Sequence, residues 1–62
     1  MKVTMQRWKY NNNDMQITPK SVREIKTVSG SCAAEIMPVI REIWENADCF
    51  RFTQWDIIDI QD

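Results

Sequence analysis

The chain predicts a small α+β fold: a β-β-α-β two-layer sandwich in which an antiparallel hairpin and a C-terminal strand carry one amphipathic helix on one face. Three observations predict it. Residues 2–10 (KVTMQRWKY) alternate as a strand does and run into the turn-forming cluster Asn11, Asn12, Asn13 and Asp14. Residues 31–47 (SCAAEIMPVIREIWENA) are the one stretch with sustained helical periodicity. Residues 49–60 (CFRFTQWDIIDI) return to a β-type composition. No repeat or linker divides the 62 residues, so residues 1–62 form a single domain. A core of that size rarely supplies more than about 3–5 kcal/mol without a disulfide, metal or partner.

In the first strand Val3 and Met5 share one face, and Thr4, Gln6, Trp8 and Tyr10 share the other. Both faces are partly apolar, and one helix covers only one of them. The Asn/Asp cluster tolerates left-handed backbone and bonds its own main chain, so it reads as a hairpin loop. Met15 and Ile17 then begin the returning strand.

Residues 18–28 fit two descriptions. Thr18 with Pro19 makes an N-cap and first helical residue, and Val22, Ile25 and Val28 repeat every three. Against a helix, Val22, Ile25, Thr27 and Val28 are β-branched, and Ser29 and Gly30 leave little room to reverse between two helices. A strand is preferred, with Pro19 marking an edge position or a break.

On a helical wheel Ala33, Ile36, Met37, Val39, Ile40, Ile43, Trp44 and Ala47 occupy one arc of roughly 160°. Glu35, Arg41, Glu42 and Glu45 fall outside it. Ser31 is placed to cap the N-terminus, Gly30 lets the chain turn into it, and Arg41 and Glu45 are spaced for a weak pair. Pro38 lies almost opposite the centre of the stripe, where a lost backbone bond meets water. The stripe crosses Pro38 without a phase break, which predicts one helix rather than a helix starting at that residue.

After the helix, Phe50 and Phe52 fall on one strand face, Trp55 and Ile57 on the other, and Ile58 and Ile60 back on the first. Such a shift predicts a bulge near Thr53 and Gln54, or a strand buried on both faces.

Residues 1–31 carry six basic and two acidic side chains, a net +4, whereas residues 32–62 carry two basic and seven acidic, a net −5. The two halves either fold against one another or leave one acidic surface for a basic partner; the first is favoured. The helix holds Cys32 and Cys49 about 20 Å apart, against about 7 Å for a disulfide. Both therefore read as reduced, space-filling thiols. No long apolar run spans a bilayer, and MKVTMQRW alternates unlike a signal peptide, so a cytoplasmic protein is expected.

Chemistry-bearing patterns are few. The chain has no histidine, which removes the commonest general base and metal ligand. Its single glycine, Gly30, cannot make a phosphate-cradling loop, and Cys32 and Cys49 lack zinc-type spacing. On a regular strand Asp56 and Asp62 share a face while Asp59 takes the other, so no carboxylate cluster is expected. Neither catalysis, a cofactor nor a metal is expected.

Three tryptophans exceed what a one-helix core needs, and Trp, Tyr, Met and Arg are enriched at interface centres. The sheet face away from the helix is expected to carry Trp8, Tyr10 and Trp55, as a partner site or a homodimer seam. Glu35, Glu42 and Glu45 form a second candidate surface on the outer face of the helix. A rival reading uses Lys2, Arg7, Trp8 and Lys9 to stack on and neutralise single-stranded nucleic acid, although the acidic whole-chain balance weighs against it.

In its layout the chain resembles small phage-encoded inhibitors, among them anti-CRISPR proteins and the antitoxin of T-even phages that blocks a host RNA-cleaving toxin. The residues behind this are KVTMQRWKYNNNDMQIT, a strand with one tryptophan followed by an Asn-containing turn. The resemblance implies a non-enzymatic inhibitor that binds a larger host protein with a basic or aromatic-accepting surface. A nucleic-acid accessory factor and a structural homodimer subunit are the alternatives.

Overall fold

The computed structural model describes residues 1–11 and 16–62. Its elements follow the order β1 (Lys2–Trp8), β2 (Arg23–Ser29), α1 (Ala33–Glu45) and β3 (Asp56–Gln61). The sheet is antiparallel with strand order β2-β1-β3, so the first strand lies in the middle and the other two are edges. The β-β-α-β layout expected from the sequence is present, with strand boundaries that differ.

In β1, Val3 and Met5 are buried under the helix, as their alternation predicts. Across the ladder Val3 pairs with Val28, Met5 with Lys26 and Arg7 with Glu24, so these residues share the inner face. Ile36 and Ile40 of α1 close over them, and Trp55 completes the core. Met1, Ile43 and Ala47 pack against its rim.

The expected turn falls largely on residues 12–15, outside those described, as does Met15. The returning strand begins at Arg23 and not at Ile17. Thr18 and Ser21 bond one another instead: the Thr18 N–H donates to Ser21 Oγ (2.9 Å), and the Ser21 N–H donates to the Thr18 carbonyl (2.9 Å). Pro19 sits inside this turn, where its missing N–H leaves no ladder bond unmade.

The helix runs through Pro38 as one element, and Pro38 is exposed. Cys32, not Ser31, is the N-cap, and it makes no side-chain bond. The first turn is held from the other direction, since the Ser31 N–H donates to Glu35 Oε2 (2.9 Å). At the C-terminus the Asn46 side-chain amide donates to the Glu42 carbonyl (2.9 Å), doubling the bond that the Asn46 backbone N–H already makes to it (3.1 Å). Gly30 serves close packing: a Cβ there would lie 3.0 Å from Ile36 Cγ1, against a core side chain. Arg41 and Glu45 are not paired; the ion pairs among the described residues are Arg7–Glu24 and Arg51–Asp48.

The last strand is shorter than residues 49–60. Asp48 folds the following residues into a turn, its Oδ1 accepting from the N–H groups of Phe50 (2.9 Å) and Arg51 (3.1 Å). Phe50 is 84% exposed at its tip. Phe52 then makes an isolated bridge to Lys9, and Thr53 locks to Trp8 through two bonds of 2.8 and 2.9 Å. The bulge is at Ile58, because Thr4 faces Asp59 and Met5 faces Ile57, and not at Thr53 and Gln54. It explains the phase shift read in the sequence. It also brings Asp56 and Asp59 onto one face, opposite Gln6 and Thr4, which corrects their expected separation.

Candidate protein-binding surface

The helix is too narrow for the sheet. Its core residues meet β1 and β2, while all six residues of β3 are exposed. Ile57 and Ile60 oppose Met5 and Val3 and so lie on the helix side of the sheet, yet they are 43% and 58% exposed. Ile58, at the bulge, is also exposed.

The wheel explains which helix residues join them. Only the centre of the apolar arc (Ile36, Ile40, and partly Ile43 and Ala47) is covered, whereas the flanks Val39, Met37 and Trp44 are exposed. Val39 lines a cleft of about 300 Å³ with Lys26 of β2. Trp44 lies on the other flank and lines a cleft of about 280 Å³ with Ala47, Gln54 and Trp55, the segment that leads into β3. Met37 stands two turns before Trp44 on that flank. The exposed apolar side chains are therefore Met37 and Trp44 on this flank of the helix and Ile57, Ile58 and Ile60 on β3.

The expected aromatic face on the far side of the sheet is not assembled. Trp55 is 5% exposed and belongs to the core beneath the helix, because residues 52–55 are pinned to the end of β1 and turn inward before β3 begins. Trp8 is on the outer face, half-buried, with the Arg23 guanidinium 5.9 Å from its ring. Tyr10 lies past the strand end in a cleft with Lys9, Asn11, Thr18, Lys20 and Val22. The rest of the outer face is mainly polar: Thr4 and Thr27 approach to 3.4 Å, Arg23 donates to Gln6, and Gln61 donates to Asp59.

The basic residues proposed for nucleic acid are not brought together either. Lys2 and Trp8 stand at opposite ends of the outer face, and Lys9 is exposed beyond the strand. Arg7 points to the inner face. Its side chain is 14% exposed, its guanidinium lies 3.8 Å from the Phe52 ring centroid and 4.5 Å from that of Trp55, and Nη2 donates to Glu24 (3.0 Å). This cation is consumed in holding the 52–55 segment against β1. Its Nε is buried without a hydrogen-bond partner between the rings.

Glu35, Glu42 and Glu45 are exposed and flank Pro38 on the outer helix face. Asp56 and Asp59 are exposed on β3. Each of the two ion pairs found among the described residues joins residues of the same half of the chain, so there the acidic half is not paired to the basic half. The Asp48 carboxyl is held at about 2, below its ordinary 3.8, chiefly by the bond from the Arg51 side chain (2.6 Å) and then by the backbone N–H groups of Arg51 and Phe50. Cys32 and Cys49 are free and exposed, which corrects the expectation that they fill space in the interior.

Sequence reasoning missed Met37, Trp44, Ile57 and Ile60 as surface residues. The signals were the width of the apolar arc, too broad for one sheet contact, and the phase shift at Ile58. Among the described residues no three of His, Cys, Asp and Glu gather as a metal cage, and no helix is long and apolar enough to cross a membrane. No protein-family model, curated protein or solved structure matches this chain.

Proposed function

We propose that the chain is a non-enzymatic protein-binding module, an inhibitor of the phage-encoded type that acts by stoichiometric binding to a larger host protein. The observation that carries this reading is the uncovered helix-side face of β3, where Ile57 and Ile60 are exposed, together with the exposed helix side chains Met37 and Trp44. Leaving a few branched side chains half in water forgoes about 25 cal/mol for each Å² that stays wet. A domain with so small a core recovers that free energy when a partner covers them. The acidic outer helix face (Glu35, Glu42, Glu45) and the β3 aspartates favour a partner with a basic rim, which speeds encounter more than it tightens the complex.

Capture from a bacterial lysate, followed by titration of the captured host protein, tests the proposal. One-to-one binding that Ile57→Lys with Ile60→Lys abolishes is the expected result. Reversing Glu35, Glu42 and Glu45 should slow association while leaving dissociation nearly unchanged. Binding that survives the isoleucine substitutions, or no captured protein at all, contradicts the proposal.

A further inference from the structure

We infer that the partner binds by adding an extended strand to the free edge of β3, and that this strand alternates branched apolar residues with Lys or Arg. The inference rests on the protein-binding reading above and specifies its geometry. Among the described residues β3 makes no backbone hydrogen bond outside its ladder with β1, so its far edge has no backbone partner; the bulge at Ile58 interrupts that edge, and an incoming strand pairs on either side of it.

The side chains beside that edge set the chemistry of the incoming strand. On the helix side it meets Ile57 and Ile60, exposed and unmatched by any helix residue above them. On the outer side it meets Asp56 and Asp59, which the bulge at Ile58 places on one face. β3 carries no cation of its own. An apolar row facing the isoleucines and a basic row facing the aspartates are two faces of one alternating strand, since successive residues point to opposite sides.

A second copy of this chain fits less well. Two β3 strands paired with each other bring Asp56 and Asp59 of both copies to the same edge, and like charges opposed across a ladder destabilise it. The other free edge, β2, offers Arg23 and Lys26, but joining β2 to the β3 of the next molecule does not close and would grow filaments.

The test uses the whole protein and synthetic peptides of about seven residues, a typical strand length. One peptide alternates Val with Lys, and a second alternates Val with Glu. Isothermal titration should give at least about tenfold tighter binding to the Lys peptide, reversed in Asp56→Lys with Asp59→Lys. These positions are exposed, so the variant keeps its fold, which circular dichroism verifies. N-methylation of one alternate set of peptide amides should abolish binding, while methylation of the other set is tolerated, because only one set faces β3. Equal tolerance of both sets overturns strand addition. So does sedimentation as a dimer or filament that the aspartate substitutions disrupt, which makes a second copy the occupant. If the peptides fail while a captured host protein remains sensitive to Ile57 and Ile60, strand addition is wrong and the protein-binding reading stands. If neither binds, both are wrong.

Discussion

Replacing Arg7 should cost more than breaking its ion pair with Glu24. The Arg7→Ala change removes two ring contacts, at 3.8 Å to Phe52 and 4.5 Å to Trp55, together with a stem that packs on the inner face. A partly desolvated cation–π contact contributes about 0.5–2 kcal/mol, and each buried methylene about 0.8 kcal/mol. Against this, the substitution relieves the unpartnered Nε, worth about 1 kcal/mol. The pair with Glu24, whose side chain is 41% exposed, contributes at most about 1 kcal/mol after solvent screening. The expected loss for Arg7→Ala is therefore about 2–3 kcal/mol, and for Glu24→Ala no more than about 1 kcal/mol. With an m-value of about 1 kcal/mol/M for so small a domain, the urea midpoint should fall by about 2–3 M in the first variant and under about 1 M in the second. Far-UV circular dichroism follows the transition without relying on tryptophan emission. Equal losses in the two variants would refute the reasoning, because the ion pair and not the ring sandwich would then hold residues 52–55.

Ile36→Ala should lower stability by about 2–5 kcal/mol and leave the domain largely unfolded at ambient temperature, whereas Met37→Ala next to it should cost less than about 1 kcal/mol; thermal melts of the two variants check it. Pro38→Ala should stabilise by about 1–3 kcal/mol, since an exposed proline has little packing to lose and the helix regains a backbone bond; a lower melting temperature would contradict that. The Asp48 carboxyl sits at about 2 in the folded chain, below its ordinary 3.8. Its stabilisation of the 48–51 turn is therefore complete above the ordinary value and lost as pH falls through about 2. Acid titration of Asp48→Asn should show a flatter stability profile between those limits than wild type.

Much of the architecture was legible because its signals are local. Val3 and Met5 alternate, the helix period is strong, and Pro38 sits opposite the stripe, so β1 and α1 follow from the residues themselves. The later strands depended on distant partners. Pro19 marked a break, but nothing near Ile17 says that the chain turns at Thr18 and Ser21 and pairs only from Arg23. A strand pattern continues through Phe50 and Phe52 although Asp48 has already bent the backbone. Trp55 is the instructive residue: it shares a face with Ile57 as the alternation predicts, but that face is the helix side, where Arg7 packs on the Trp55 ring, and no periodicity says which side of the sheet the helix covers. The acidic helix face was readable as a solvated stripe. The exposure of Ile57 and Ile60 was not, because it depends on how far one helix reaches across three strands.

On the proposal above, β3 is the edge at which this protein meets its partner. Backbone hydrogen exchange, residue by residue, measures it directly. In the free protein the β3 amides that point away from β1 should exchange rapidly. With the Lys/Val peptide or the captured host protein bound they should slow by at least about tenfold, while β2 amides stay unchanged. Protection confined to β2, to the outer helix face, or absent from β3 would contradict the account.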